Sequence, residues 1–172
     1  MQIGGAPPRV NSLAILSRAI YFPEMQLTPP DMICFALYSA QHAMQQAYAD
    51  LLDDIGLTYP QYLVMTALWA EDGRTVGALG RELRLESNTL TPLLKRLEAQ
   101  GQILRSRDPE DERRVLIRLT EAGRALQARA AHVPGCLAER IGLPVEDLVR
   151  LRDEIHGLSD RLRQARQAAS ER

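Results

Sequence analysis

Residues 75–101 read TVGALGRELRLESNTLTPLLKRLEAQG, and this stretch decides the fold. Thr75 can cap a short helix from Val76 to Leu83, since its hydroxyl accepts a first-turn amide that has no partner inside the helix. Leu85-Glu-Ser-Asn88 is a short turn, and Ser87 can cap a second helix that runs to Gln100. In that second helix Leu90, Leu93, Leu94 and Leu97 fall at three- and four-residue steps, one apolar face for packing. Gly101 then stands where a helix end wants a left-handed residue. Two short helices on a tight turn, with another helix before them, form a helix-turn-helix.

Beyond Gly101 the period changes to two. Ile103 and Arg105 lead into Arg107, and Val115, Ile117 and Leu119 alternate with Leu116, Arg118 and Thr120. The polar run Asp108-Pro-Glu-Asp-Glu-Arg-Arg114 between them makes a β-hairpin with a charged tip, a wing. Thr120 caps a helix from Glu121 to about His132, Pro134-Gly135 breaks the pattern, and Pro144 opens a last amphipathic helix. Its stripe of Val145, Leu148, Leu151, Ile155, Leu158 and Leu162 is too long for one small core, so a second subunit is expected to cover it.

Upstream, Asp31 offers an N-cap for a helix from Met32 to about Asp54, with Ile33, Leu37, Ala40 and Met44 in helical period and Gly56 as the stop. Thr58-Tyr-Pro60 starts another helix with Leu63, Val64, Ala67 and Leu68 on its apolar face, ended by Asp72-Gly73. The expected class is mainly α (α+β): a winged helix-turn-helix with N- and C-terminal dimerisation helices. It divides into a leader at residues 1–30, an N-terminal helix at 31–56, a DNA-binding domain at 57–120 and C-terminal dimerisation helices at 121–168. The leader holds a faint apolar core around residues 11–22 that Arg18 interrupts, with no basic run before it and no small-residue cleavage site after it. It is expected to be disordered or loosely helical, or an overrun of a start at Met25.

Net charge is −1 across 172 residues, so any nucleic-acid binding must come from local charge. Residues 74–118 carry ten basic side chains against seven acidic ones, a local +3. Lys95 is the only lysine, and it lies in this region. Opposite the leucine face, Ser87, Asn88, Thr89, Thr91 and Pro92 precede Lys95 and Arg96. Small polar groups at a helix start reach base edges or phosphates in a major groove, and the cations further along neutralise phosphate. A solvated surface face has the same composition. Arg113 at the hairpin tip can enter a minor groove, with Asp111 to hold it in pose. Double-stranded DNA, as an inverted-repeat operator, is therefore the expected partner.

Cys34 and Cys136 are too few for a disulfide scaffold, and His42, His132 and His156 have no ligand-spaced companions. No metal site and no cofactor are expected, and a cytoplasmic location with free thiols follows from the cysteine usage. With Asp31 as the cap, Cys34 lies in the first turn of its helix, where free amides and the dipole favour a thiolate. Thiolates react with peroxides to give sulfenic acid. A buried structural cysteine is the alternative. Tyr38, one turn on, can touch Cys34 within the chain.

The segment Asp111-Glu-Arg-Arg-Val-Leu-Ile-Arg-Leu-Thr-Glu-Ala-Gly123 resembles the wing signature of the MarR family of bacterial regulators, and the family pattern spans roughly residues 31–165. Ile33-Cys-Phe-Ala-Leu-Tyr-Ser39, Leu57-Thr-Tyr-Pro-Gln-Tyr-Leu63 and Thr89-Leu-Thr-Pro-Leu-Leu-Lys-Arg-Leu-Glu98 are similar to the organic hydroperoxide resistance regulators of that family. The resemblance implies a non-enzymatic homodimeric repressor that releases its operator when Cys34 is oxidised by an organic hydroperoxide. It also implies that Tyr48 and Tyr59 are hydrogen-bond partners of that cysteine. Tyr48 is 14 residues from Cys34, about 21 Å along a helix, so such a bond must come from a second subunit. In two-cysteine members a cysteine from the partner's C-terminal half forms an intersubunit disulfide. Cys136, beside the Pro134-Gly135 break, matches that role, with a packing cysteine as the alternative. Asn88 departs from the family's usual glycine. Two other functions compete: a MarR-type repressor released by a small aromatic ligand, and a thiol peroxidase, which would want an arginine beside Cys34 that the sequence does not supply within a turn.

Overall fold

The computed structural model describes residues 27–109 and 111–170, and the expectation for the leader falls almost wholly outside them. The chain divides into two units, one ending at Met44 and one beginning at Gln45. In the first, Pro29–Asp31 form a single 3-10 turn, and helix α1 (Ile33–Asp53) starts just after it. The expected Asp31 cap is not made. Its carboxylate turns back to accept the Thr28 N–H at 3.1 Å and hydroxyl at 2.6 Å, because the prolines bend the chain one turn before the helix begins. Those two bonds hold the Asp31 carboxyl below the ordinary carboxylate value.

The second unit contains the core. Leu51 and Leu52 at the end of α1 are buried, and α2 (Tyr59–Ala70) follows with Val64, Met65 and Leu68 almost fully buried. Thr75 accepts the Ala78 N–H at 3.1 Å and caps α3 (Val76–Leu83) as expected. Helix α4 (Ser87–Ala99) buries Leu90, Leu93, Leu94 and Leu97, the leucine face that the period demanded. Its cap position is Glu86 rather than Ser87, and no side chain caps it. Helix α3 ends at Leu83 as expected, with Arg84 at φ 55° turning the chain out of it, and the next helix begins with Ser87 in the first helical position.

The wing strands are β2 (Ile103–Arg107) and β3 (Val115–Leu119), paired antiparallel from Ile103 opposite Leu119 to Arg107 opposite Val115. A two-residue strand, β1 (Arg74–Thr75), joins β3 on the other side, so the sheet order is β1-β3-β2. Two residues give no periodicity, and the sequence did not announce this strand. Asp72 fastens the junction by accepting the Leu119 and Gly73 amides, each at 2.8 Å, and Arg124 at 2.7 Å. Partial burial works against the Asp72 charge, but these three donors outweigh it and keep its pKa below the usual value. Thr120 caps α5 (Glu121–Ala130) through the Gly123 N–H at 2.9 Å and donates to the Gly101 carbonyl at 2.6 Å, tying both ends of the hairpin together.

Helix α5 stops at Ala130, two residues short of the expected end. The helical pattern does break here, but at residues 131–132, just ahead of Pro134-Gly135. Pro134 and Gly135 lie in the first turn of α6 (Val133–Ile141), where a proline costs nothing because the amide it lacks would have no helical acceptor. Gly142 at φ 68° ends α6, and α7 (Val145–Ser170) follows without one buried residue. Val145, Val149, Leu151, Ile155 and Leu162 are exposed along it. Among the described residues no helix is long and apolar enough to cross a membrane, and no group of His, Cys, Asp and Glu could hold a metal.

Candidate functional site

Helix α4 presents an open polar face. Ser87, Asn88, Thr89, Pro92, Lys95 and Arg96 are exposed, and Thr91 is half-buried. Neither Lys95 nor Arg96 is ion-paired among the described residues, so both charges are available to a phosphate. Thr89 donates to the Asn88 side-chain oxygen at 3.2 Å. The helix runs through Pro92, whose missing N–H leaves the Asn88 carbonyl without its usual donor four residues on.

The wing tip is held by one carboxylate. Asp111 accepts the Arg113 backbone N–H and the Arg113 Nε, each at 3.1 Å, and forms an ion pair with the Arg114 Nε at 3.2 Å. The Arg113 side-chain bond is the main reason that Asp111 stays ionised below the usual carboxylate range. The Arg113 side chain itself is 92% exposed. Its position is set while its outer face stays free.

The cysteines differ in setting. Cys34 is exposed and lies in the first turn of α1, where the amides have no helical acceptor. Tyr38 is exposed in the same unit, its ring 4.6 Å edge-on from the His42 ring and 6.5 Å from Phe35. Cys136 is half-buried in the first turn of α6, packed against the core, and its N–H bonds the His132 carbonyl at 3.0 Å. It is a helical position, not the open hinge expected from Pro134-Gly135. Both thiols are free.

Tyr48 and Tyr59 come together in the second unit. Their ring centroids are 4.5 Å apart, and Tyr62 lies 5.9 Å from Tyr48. Tyr62 meets Trp69 at 6.1 Å, and Trp69 donates to the Gly123 carbonyl at 2.9 Å. Burial, then the neighbouring Tyr59 and Tyr62, push the Tyr48 phenol up to about 12. Burial raises Tyr59 as well. Both phenols therefore remain proton donors throughout the neutral range.

Three functional positions escaped the sequence reading. Gln61 is buried at 4% exposure. It accepts the Thr58 N–H and hydroxyl at 2.9 and 3.0 Å and donates to Gln100, at the end of α4, at 3.2 Å. Asp72 binds the wing to the helices, as above. Arg105 occupies the core-facing side of β2, in register with the fully buried Ile117. Arg105 carried a signal, a charge where the alternation calls for an apolar residue, and so did Gln61, three residues after Thr58 at the capping-box spacing.

A family model described as "Transcriptional regulator SarA/Rot" matches residues 46–129. The organic hydroperoxide resistance transcriptional regulator of Bacillus subtilis is 43% identical over 143 residues, 83% of this chain and 96% of that one. The chain belongs to the MarR family, among its organic hydroperoxide resistance regulators. Like its relatives, this MarR-family chain is a transcription regulator. A second relative, the transcriptional regulator TtmR of Methylorubrum extorquens, is 46% identical over 131 residues, 72% of this chain and 67% of its own. Among solved structures, reduced AbfR bound to DNA superposes with a TM-score of 0.66 at 35% identity, over 76% of this chain and 90% of that one. AbfR comes from Staphylococcus epidermidis, and its disulfide-formed state superposes with a TM-score of 0.51.

Proposed function

We propose that this chain is a homodimeric repressor that binds an inverted-repeat operator in double-stranded DNA and releases it when an organic hydroperoxide oxidises Cys34. The wing tip carries the DNA reading: Arg113 is fully presented yet fixed by Asp111, beside an α4 face whose cations are free. Ser87, Asn88, Thr89, Thr91 and Pro92 face the major groove, Lys95 and Arg96 its phosphates, and Arg113 the minor groove. DNA-bound AbfR, with the same fold, supports the assignment. The apolar residues left open on α7 are the surface that a second copy covers.

In the switch, the Cys34 thiolate attacks one peroxide oxygen and the O–O bond breaks. The alcohol leaves, and sulfur is oxidised to sulfenic acid. Tyr48 and Tyr59, protonated at neutral pH, donate to the reduced thiolate from the partner subunit, and Tyr38 packs on it within its own chain. Cys136 of the other subunit then attacks the sulfenic sulfur, forming the disulfide and expelling water. A gel shift on the DNA upstream of the chain's own gene, with and without cumene hydroperoxide, tests the reading. Retention of DNA by the oxidised protein sinks it.

One observation favours a second reading. A cavity of about 830 Å³ opens beside Tyr59, with Gln45, Leu57, Arg96 and Gln100 on its walls, large enough for a small aromatic acid. Release of DNA by a phenolic acid, with indifference to peroxide, would decide for that reading.

A further inference from the structure

Arg105 breaks the alternation of its strand. Ile103 before it is fully buried, Leu104 between them is exposed, and Arg105 faces inward toward α4. An arginine on a core-facing register is a local inconsistency that folding alone does not reward. Among the described residues its Nε is buried without a hydrogen-bond partner, and its ion pair to Glu98 is long at 3.7 Å. A buried, unsatisfied guanidinium nitrogen is costly, and it calls for an acceptor.

Arg105 also lines a space that fits one. A cavity of about 630 Å³ lies between the first turn of α3, the start of α4 and the wing. Four arginines line it, Arg81, Arg105, Arg113 and Arg114, together with the hydroxyl residues Ser87 and Thr91, and among the described residues no acidic one does. Arg81 has no ion pair among the described residues. The first turns of two helices end on this cavity, adding the positive ends of their dipoles.

We propose that this cavity is a phosphate site and that Arg105, with Arg81, binds a phosphate oxyanion there. In the DNA complex the oxyanion is a phosphodiester of the strand that passes between α4 and the wing. The proposal rests on the DNA-binding reading above. It adds two residues, Arg81 and Arg105, that grip the backbone from the angle of the fold rather than from its tips. A guanidinium fork suits a phosphate's paired oxygens better than an ammonium would.

The test uses the full chain and two variants, Arg105→Leu and Arg81→Gln. Leucine restores the apolar alternation of β2, so the first variant keeps its fold, and circular dichroism checks both. On a 30-base-pair duplex from the chain's upstream region, Arg105→Leu is expected to lower affinity about tenfold. It should also reduce the salt slope by about one. Replacing single phosphodiesters by neutral methylphosphonates should reveal one position per half-site that costs the wild type this tenfold and costs Arg105→Leu nothing. In a second arm, calorimetry of DNA-free protein with inorganic phosphate at constant ionic strength asks whether a free anion enters. Heat present in the wild type and lost in Arg105→Leu assigns the same site to free phosphate. Unchanged slope and affinity in both variants, with no phosphate heat in the wild type, overturn the proposal. If the wild type fails to bind the duplex at all, the regulator reading fails separately, and the phosphate arm alone decides the cavity.

Discussion

Asp111 holds Arg113 twice, through the backbone N–H and through Nε, each at 3.1 Å. A surface ion pair with so exposed an arginine adds little to stability, so the pairing bears on aim more than on folding. Arg113→Ala is expected to leave the melting temperature within about 1 °C, since exposed substitutions rarely move stability. It should weaken operator binding and lower the salt slope by about one, measured by fluorescence anisotropy in a potassium chloride series. Asp111→Asn should lose affinity with the salt slope unchanged, since it disturbs pose and removes no cation. Equal slopes and affinities for all three proteins would remove the wing from the interface.

Gly123 is where α5 meets the hairpin. A Cβ added there would lie 2.0 Å from the Gln102 carbonyl oxygen, which already accepts the Thr120 N–H at 3.1 Å. Backbone cannot yield as a side-chain tip does. Gly123→Ala should therefore cost about 2 kcal/mol or more, lowering the melting temperature by roughly 5 °C or more. A thermal scan showing no loss would mean that α5 is free to slide on the wing.

The Tyr48 phenol, pushed up to about 12, gives a pH signature. The unfolded chain releases this proton near pH 10, while the folded chain holds it to about 12. Stability that is fully present below pH 10 is thus lost as pH rises across that window. Urea titrations at pH 9, 10 and 11 should show a fall that Tyr48→Phe reduces. A wild-type fall that the variant fully reproduces would rule out Tyr48 as its source.

The cysteines give a paired prediction. Cys34→Ser should bind operator and ignore organic hydroperoxide, since serine forms no sulfenic acid. Cys136→Ser should form the sulfenic acid, captured by dimedone, yet run as a monomer on a non-reducing gel where the oxidised wild type runs as a covalent dimer. Release of DNA by oxidised wild type with no Cys34–Cys136 bond in the mass spectrum would transfer the resolving step to a small external thiol.

Where a reading rested on repetition, the structure kept it. The leucines of α4, the alternating strands of the wing and the caps at Thr75 and Thr120 all follow from periods of 3.6 and 2 and from hydroxyls at helix starts. Single residues read by habit fared worse. Asp31 turned back to Thr28, Ser87 moved inside its helix behind a left-handed Arg84, and Pro134 opened a new helix just after the break rather than sitting in it. In each case the backbone one or two residues away chose between partners that the sequence left equal. The long-range bonds of Gln61 and Asp72 were invisible for another reason. Their partners, Gln100 and Leu119, stand 39 and 47 residues away, and no local pattern records a contact of that span.

Lys95, exposed on α4, is the chain's single lysine. Apart from the terminal amine, an amide-forming label has this one side chain to take, and it lies on the helix face proposed to meet nucleic acid. One covalent label, counted by intact mass, thus becomes a direct gauge of occupancy. Acetic anhydride should add to Lys95 in free or oxidised protein and be slowed in the reduced operator complex. Equal labelling in both states would place that ammonium group outside the bound face. Under the proposed DNA-binding mode, immobilisation through the Lys95 amine should likewise block operator binding, while a tether at the terminal amine should not.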